Sequence, residues 1–357
     1  MTQFENSITV VVPCYNEEAI LWANLESIWN HMKSLESRYP RWEVLVVNDG
    51  SKDKTGEIAD DFSRSHPHVR VIHHPSNLNL GNALKTGFRN AACSIIVVLD
   101  VDLSYGLDLV EKLSDTLVQN HADIVLASPY MKGGQVIAVP FTRKIMSKWV
   151  NRFMRFASQE KYHTFTGMCR AYRTSFIRNV NLKTKDYEIN PEIMYKSMIL
   201  RAKIVEIPAR LDWTEQNKFA GKRTSSMRAI RGFFSGLMSG FIFRPYIFFW
   251  AVGTLLMILS LYELVWLLVD TLRDMRTIET AGSGFNALFS ESLALNFKKN
   301  PQSFVVGGIT FVVAIQFYSI GFLSLQNKRY FEELFHLGTH LRMQNEKMRN
   351  LSQDENS

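Results

Sequence analysis

The feature that most constrains this fold is an apolar run that leads directly into two carboxylates. Residues 95–99 have the sequence IIVVL, and Asp100 and Asp102 follow at once. Such a run is typical of a strand buried on both faces, as in the centre of a parallel sheet. Its carboxyl end would lie at the sheet edge where α/β proteins bind ligands. Because side chains two apart in an extended segment point the same way, the aspartates are predicted to hold one Mg²⁺ or Mn²⁺ ion.

Further apolar runs alternate with helical patterns. The last predicted strand of the domain is at 202–208, and the earlier ones are at residues 8–12, 42–47, 69–72 and 124–128. Strands that alternate with helices indicate an α/β fold with a mostly parallel sheet and helices on both faces. The polar strand ends are expected to form a nucleotide site at one edge, together with Tyr15, Glu17 and Asp49. Since neither G-x-G-x-x-G nor G-x-x-x-x-G-K-[ST] occurs, dinucleotide-binding and P-loop folds are disfavoured.

Charge and cysteine usage narrow the class of partner. The 357 residues carry a formal net charge of +7, which suits anionic lipids and phosphorylated ligands. The basic residues lack the interleaved aromatics of single-strand binders, so no nucleic-acid partner is expected. Cys14, Cys93 and Cys169 are scattered, which predicts free thiols in a reducing compartment. Because no signal peptide precedes the first strand, the soluble part is expected to stay in the cytoplasm.

Two long apolar segments predict a membrane hairpin. About 20 residues suffice to cross a bilayer, and the spans are predicted at residues 245–269 and 304–325, with a polar connector between them. Basic residues before the first span and after the second favour cytoplasmic termini. The predicted domains are a cytoplasmic α/β domain at 1–225, interfacial amphipathic helices at 226–244, the hairpin at 245–326 and an amphipathic cytoplasmic tail at 327–357. The tail would lie along the membrane surface or pack between the protomers of a homo-oligomer.

Four short motifs occur in order at positions consistent with this fold. They are Val12-Pro13-Cys14-Tyr15-Asn16-Glu17, Val47-Asn48-Asp49-Gly50-Ser51, Gly81-x-x-x-Lys85-x-Gly87-Phe88 and Asp100-x-Asp102. With them the chain resembles the family 2 glycosyltransferases over about residues 8–231. Within that family it is similar to the dolichyl- and polyprenyl-phosphate sugar synthases. The resemblance implies a Rossmann-like glycosyltransferase A fold that uses a nucleotide-sugar donor, a polyprenyl phosphate acceptor, and Mg²⁺ or Mn²⁺.

The same resemblance implies donor-site roles. The residues that would line the nucleoside pocket are Pro13, Tyr15, Glu17 and Asp49. Asp100 and Asp102 would hold the diphosphate and its metal, and Lys85 would belong to the donor site. Relatives commonly have an arginine that contacts phosphate where this chain has Pro129. Lys132 is the nearby cation that would replace it.

Acceptor-site roles follow from the same likeness. Arg143 and Ser147 match an R-x-x-x-S helix whose polar side chains face the acceptor phosphate, and their spacing places both on one helical face. Glu192 lies in a stretch that resembles the one placing an acid near the acceptor, the alternative being a capping acid at a helix N-terminus. With Asp102 and Arg143, it would act in catalysis. In relatives a basic loop contacts the lipid phosphate, and the candidates for this role here are Lys222 and Arg223. The alternative is that these two cations only attract anionic headgroups.

The leading interpretation is an inverting glycosyltransferase that moves one sugar from a nucleotide-diphosphate donor to polyprenyl phosphate at the cytoplasmic membrane face. The donor would be GDP-mannose or a UDP-hexose. One alternative is a processive polysaccharide synthase of the same fold, but its Q-x-x-R-W motif and additional spans are not found. The other is a catalytically idle membrane scaffold or nucleotide sensor. Asn48 and Pro129, where relatives often have aspartate and arginine, favour that second alternative.

Overall fold

A computed structural model describes residues 7–158, 161–214, 244–277 and 284–354. The chain divides into two units, one of Met1–Phe243 with Leu334–Ser357 and the other of Arg244–Glu333. The described strands all belong to the first unit. Nearly all of the predicted interfacial segment, residues 226–243, lies outside the described residues, and its amphipathic helices stay a prediction.

Six of the nine strands described in the first unit match the predicted apolar runs. The nine are β1 (Ser7–Cys14), β2 (Arg41–Asn48), β3 (Val69–His73), β4 (Ile95–Val98), β5 (Ile124–Ser128), β6 (Gln135–Ile137), β7 (Arg170–Arg173), β8 (Ile204–Pro208) and β9 (Arg210–Asp212), and those that match are β1 to β5 and β8. Seven form one sheet in the order β3-β2-β1-β4-β7-β5-β8. Its neighbouring pairs are parallel except those of β7, which is antiparallel to β4 and β5. The predicted α/β fold with a mostly parallel sheet is confirmed.

Helices cover both faces of this sheet. They are α1 (Leu21–Ser34), α2 (Thr55–Ser65), α3 (Leu80–Asn90), α4 (Asp108–Gln119), α5 (Phe141–Ser158), α6 (Thr174–Asn179) and α7 (Ile189–Ile199). Apolar residues of α1, α2 and α4 pack on one face, and those of α3, α5 and α7 pack on the other. The first unit therefore has two hydrophobic cores, one on each side of the sheet.

The central strand β4 is buried on both faces, as its sequence predicts. Ile95 and Val97 belong to one core, and Ile96 and Val98 belong to the other. Each is at most 2% exposed. Full burial of one such side chain stabilises a fold by about 1.5–3 kcal/mol, so this short strand anchors both cores.

The end of the first unit differs from expectation. Strand β8 was predicted to be the last of the domain, but β9 follows it and pairs in parallel with β6. Trp213, directly after β9, donates its backbone N–H to Ile137 O at 3.1 Å. Because both strands have only three residues, neither shows a periodic pattern in the sequence.

The second unit is helical. Its helices are α8 (Pro245–Met275), α9 (Phe285–Lys299) and α10 (Pro301–Asp354), the last of which continues beyond this unit. Pro245–Met275 and Pro301–Thr339 are long and apolar enough to cross a membrane, which is weak evidence by itself. Both helices extend past the predicted spans, and the predicted polar connector contains a helix, α9.

In the second unit several polar side chains are buried and many apolar side chains are exposed, the reverse of the pattern in a water-soluble protein. Ser260, Ser292 and Asn296 are fully buried, whereas Ile258 and Leu293 are exposed. Asn296 Nδ2 on α9 donates to Leu267 O at 3.0 Å, and Ser260 Oγ donates to Gly307 O at 2.9 Å. Helices therefore meet through polar groups and turn apolar groups outward, the arrangement of helices surrounded by lipid.

Candidate active site

The carboxyl ends of β1, β2 and β4 meet at one edge of the sheet. Cys14 pairs with Asn48, and the N–H of Asp49 donates to Cys14 O at 2.9 Å. The N–H of Leu99 donates to Val11 O at 3.1 Å, so β4 ends beside them. The loops that carry the predicted donor-site residues therefore emerge together. Pro13 itself is buried inside β1.

The loop after β1 is locked to the loop after β2. The N–H groups of Asn16 and Glu17 donate to Ser51 Oγ at 3.0 Å and to Thr55 Oγ1 at 2.8 Å. In return Asn16 Oδ1 accepts the N–H of Lys52 at 2.9 Å. Side-chain caps of this kind order both loops, and between them Tyr15 remains exposed. Tyr15 and Glu17 thus occupy a fixed part of the edge.

Asp49 is buried beneath this edge. Its Oδ1 atom is 2.7 Å from Nδ1 of His74 and accepts the N–H of Leu78 at 2.9 Å. The other ring nitrogen of His74 is 2.9 Å from Thr86 Oγ1. Asp49 therefore holds the segment that leads into α3, and its predicted contact with a nucleoside stays a prediction. No sequence signal pointed to His74.

The two aspartates lie on a turn, not on an extended strand. Strand β4 ends at Val98, and the N–H of Leu103 donates to Asp100 O at 3.1 Å. Leu103 has a left-handed φ of 53°. The prediction that strand alternation aligns the carboxylates is therefore wrong, although the two carboxylates still interact electrostatically. Burial, and then repulsion from Asp102, raise the pKa of Asp100.

Ser104 fixes one side of this aspartate turn. Its N–H donates to Asp102 Oδ1 at 3.0 Å, and its hydroxyl donates to the same atom. Its carbonyl accepts the N–H of Asp212 at 2.8 Å, which joins the turn to the end of β9. The structure thus connects the aspartates to the segment that carries Trp213.

Arg143, in the first turn of α5, interacts with Trp213 and, electrostatically, with Asp102. Its guanidinium carbon is 4.3 Å from the centroid of the Trp213 ring. Desolvation lowers its pKa, whereas Tyr187 and Asp102 act in the opposite direction. The Asp102 carboxylate and the Arg143 guanidinium therefore interact electrostatically. The pairing with Trp213 was not predicted from the sequence.

Ser147 lies one helical turn after Arg143, near Tyr130. Burial raises the pKa of Tyr130, whereas its polar interaction with Ser147 and the charge of Arg143 act in the opposite direction. Arg143 thus interacts electrostatically with Asp102 and Tyr130, and Ser147 lies near Tyr130. The predicted contacts of Arg143 and Ser147 with an acceptor phosphate stay a prediction.

Glu192 is held in a network that accounts for both of its oxygens. Oε1 accepts from Lys196 Nζ at 2.6 Å and from the N–H of Lys183 at 2.8 Å, and Oε2 accepts the N–H of Thr184 at 2.9 Å. Burial raises its pKa, but these hydrogen bonds outweigh burial and hold the pKa below its usual value. These contacts indicate that Glu192, in the first turn of α7, has a structural role. Its predicted role near the acceptor stays a prediction.

The remaining predicted cations differ in position. Lys85 on α3 is half-buried; burial lowers its pKa, and the charge of Glu192 opposes this. Lys132 is exposed on the turn between β5 and β6. Pro129 is buried at the end of β5. Lys222 and Arg223 lie outside the described residues.

The aspartate turn offers the donor atoms that a hard divalent cation needs. Magnesium is commonly held by one or two carboxylates, with substrate phosphates and water as its other ligands. Asp100 and Asp102 fit that description. Among the described residues, no group of three or more His, Cys, Asp or Glu side chains could hold a metal. A metal held by these two carboxylates would take substrate phosphates and water as its other ligands.

Comparisons with known proteins show the family to which the chain belongs. Residues 9–180 match the model of Glycosyl transferase family 2. The chain is 32% identical over 204 residues to dolichol-phosphate mannosyltransferase of Pyrococcus furiosus, which covers 56% of this chain and 55% of that protein. It is 30% identical over 224 residues to polyprenol monophosphomannose synthase of Mycolicibacterium smegmatis, and this match covers 61% of this chain and 81% of that protein.

Among solved structures, the chain is similar to a mannosyltransferase from Pyrobaculum calidifontis in complex with GDP-Man and Mn²⁺. It is 14% identical, with a TM-score of 0.40, and the match covers 94% of this chain and 86% of that one. The first of the curated relatives is matched over about half of its length, whereas the second is matched over most of its length. The chain belongs to glycosyltransferase family 2.

Proposed function

We propose that this chain transfers one sugar from a nucleotide-diphosphate donor to a polyprenyl phosphate at the cytoplasmic face of a membrane. The observation that carries the proposal is that Arg143 packs on Trp213, next to Asp212, whose N–H donates to Ser104 O on the aspartate turn, and that Arg143 interacts electrostatically with Asp102. A carboxylate turn suited to a metal-bound diphosphate lies beside a guanidinium suited to a phosphate. Two anionic substrates can therefore be held on either side of one reacting carbon.

The donor side would use the loops at the sheet edge. Tyr15 and Glu17 lie on the ordered loop after β1, and Asp49 orders the neighbouring segment. Asp100 and Asp102 would hold Mg²⁺ or Mn²⁺, which supplies positive charge that offsets the charge of the departing diphosphate. Since Pro129 replaces the arginine of relatives, Lys132 is the proposed second cation near the diphosphate.

The acceptor side would use α5. Arg143 and Ser147 would bind the lipid phosphate and orient one of its oxygens for in-line attack, which inverts the anomeric centre. A phosphate is already ionised at neutral pH, so no strong general base is required. The engagement of Glu192 with Lys196 and two backbone N–H groups is compatible with this, because the reaction does not need a free carboxylate there.

The second unit supports the membrane part of the proposal. Its helices bury serine and asparagine and expose leucine, isoleucine and phenylalanine, which is favourable only in an apolar surrounding. We propose a hairpin at 245–326 with the catalytic domain at 1–225 and the tail at 327–357 on the cytoplasmic side. Lys328 and Arg329 after the second span, with the basic residues before the first, support that orientation.

The proposal is tested with full-length protein, a short polyprenyl phosphate, a panel of nucleotide sugars, and Mg²⁺ or Mn²⁺. The expected result is release of nucleoside diphosphate with formation of a lipid that carries one sugar. A polymeric product would instead indicate a processive synthase. The absence of turnover with every donor, in protein that remains folded, would favour the scaffold or sensor alternative.

A further inference from the structure

Helix α5 has two faces of different character. Val150, Asn151 and Met154 are buried, and Asn151 Nδ2 donates to Ser147 O at 2.9 Å. The opposite face carries large apolar side chains with high exposure, namely Phe141 (74%), Trp149 (64%) and Phe156 (66%), with Ile145 between them. At 3.6 residues per turn these positions form one continuous stripe along the helix. We call these four residues the aromatic stripe.

The charge of this helix is entirely of one sign. Its eighteen residues include five cations and no acidic residue. Arg143 points toward the active site, and the others are Lys144, Lys148, Arg152 and Arg155. In the described ranges, none of these last four takes part in an ion pair. The aromatic stripe is thus flanked by cations that have no carboxylate partner among the described residues.

This combination suits one kind of surface. An exposed contiguous apolar patch is unfavourable in water and usually marks an interaction site. A helix with tryptophan and phenylalanine on its outer face and lysine and arginine beside them has the composition of a helix that lies in a membrane interface. Tryptophan is enriched at that depth, and anionic headgroups attract the flanking cations. A protein partner with an acidic rim would be the competing occupant.

We propose that α5 docks the sheet-containing unit onto a bilayer with anionic headgroups, its aromatic stripe inserted at the interface. The proposal goes beyond the proposed function, because membrane contact is assigned to the catalytic unit itself and not only to the apolar hairpin. One consequence rests on the proposed function. The same helix would carry Arg143 and Ser147 on its opposite face, so docking would hold these side chains at the depth of a lipid-borne phosphate.

The docking is tested by site-specific fluorescence of the full-length protein in proteoliposomes that contain phosphatidylglycerol. Because all three native cysteines are buried, an environment-sensitive dye can be attached through Trp149→Cys or Phe156→Cys. The matched control is Glu57→Cys, an exposed position on α2, which packs on the other face of the sheet. The expected result is blue-shifted emission and quenching by headgroup-region spin-labelled lipids at 149 and 156, with water-like emission at 57.

Other outcomes overturn the proposal. Water-like emission at 149 and 156, with free access of aqueous iodide, would show that the stripe faces solvent. Protection from iodide without quenching by spin-labelled lipid would show that protein covers the stripe, as in a second copy of the chain. These readouts do not depend on sugar transfer, so docking can succeed while the proposed function fails, and the reverse.

A kinetic experiment tests the consequence. Lys148→Glu with Arg152→Glu should raise the apparent KM for a bilayer-borne polyprenyl phosphate on the order of tenfold. The same variant should leave turnover of a short water-soluble acceptor unchanged. Lys112→Glu with Arg64→Glu, at exposed positions on α4 and α2, is the charge-matched control and should behave as wild type. Equal losses with both acceptors would mean that the substitutions damage the active site and not the docking.

Discussion

The guanidinium of Arg143 stacks on the indole of Trp213, with 4.3 Å between its central carbon and the ring centroid. Trp213 is placed by its N–H bond to Ile137 and by the neighbouring bond from Asp212 to Ser104. The Trp213 ring thereby positions the Arg143 guanidinium. Because cation–π pairs need a defined geometry, this contact would restrict where the proposed acceptor phosphate binds.

Replacing Trp213 should therefore weaken acceptor binding selectively. A cation–π contact contributes about 0.5–2 kcal/mol, so Trp213→Ala should raise the acceptor KM by about 2- to 30-fold. Steady-state kinetics with varied polyprenyl phosphate measures this. Trp213→Phe retains an aromatic face and should recover part of the loss. An equal rise in the donor KM would mean that the indole supports the whole site and not Arg143.

Asp102→Asn should abolish transfer and leave the fold intact. The substitution keeps a polar side chain that can accept from Ser104 but removes the negative charge that would hold the proposed metal ion. We expect turnover to fall on the order of 100-fold or more. Nucleoside diphosphate release measures turnover, and a thermal melt checks the fold. The control is Asp108→Asn on α4, which should retain activity; near-normal turnover of Asp102→Asn would refute the metal site.

Glu192 should contribute to stability more than to catalysis. Its ion pair with Lys196 is largely buried, with side chains 13% and 7% exposed. Loss of one partner of a buried pair costs about 3–5 kcal/mol, so Glu192→Ala should lower the melting temperature markedly. Exposed Glu57→Ala on α2 should not. A normal melting temperature combined with a lost kcat would instead place Glu192 in the reaction, as the family resemblance predicts.

The stabilising contribution of Glu192 should also depend on pH. The folded-state pKa of Glu192 lies below its ordinary value of 4.5. Its stabilisation should therefore be fully present above that value and be lost as the pH falls through the lower folded-state pKa. Melting temperatures from about pH 3 to pH 7 should show a steeper acid decline in wild type than in Glu192→Gln. Parallel curves would mean that the carboxylate is not preferentially ionised in the fold.

The sequence predicted those features that depend on local pattern. The strand at 124–128 was placed correctly, and the burial of Ile95 to Val98 on both faces followed from an unbroken apolar run. Helical spacing pairs Arg143 with Ser147, and in the structure Arg143 interacts electrostatically with Asp102 and Tyr130. The roles that the family resemblance gives to these residues stay predictions.

What the sequence missed depends on contacts between distant segments. Strand β7 lies antiparallel between β4 and β5, and the direction of a strand leaves no mark on its local sequence pattern. The contact of Trp213 with Arg143 requires two three-residue strands to pair across more than 70 residues. Likewise the contact of Asp49 with His74 joins residues 25 apart in the sequence. The aspartate turn depends on the left-handed φ of Leu103, which its sequence does not indicate. Helix α9 was hidden because its polar residues face inward and its apolar residues face outward.

That inverted polarity gives a direct test of the surroundings of the second unit. Ile258 is 59% exposed on α8, within the predicted first span. If that position faces water, Ile258→Asp should be neutral or should improve solubility. If it faces lipid, a carboxylate near the middle of a span costs about 2.5–3.5 kcal/mol on insertion, and the variant should be depleted from alkali-washed membranes. Lys112→Asp on the exposed surface of α4 is the control for the change in charge. Full retention of Ile258→Asp in those membranes would contradict a lipid-facing α8, whereas its depletion would support the hairpin on which delivery of a lipid acceptor to Arg143 depends.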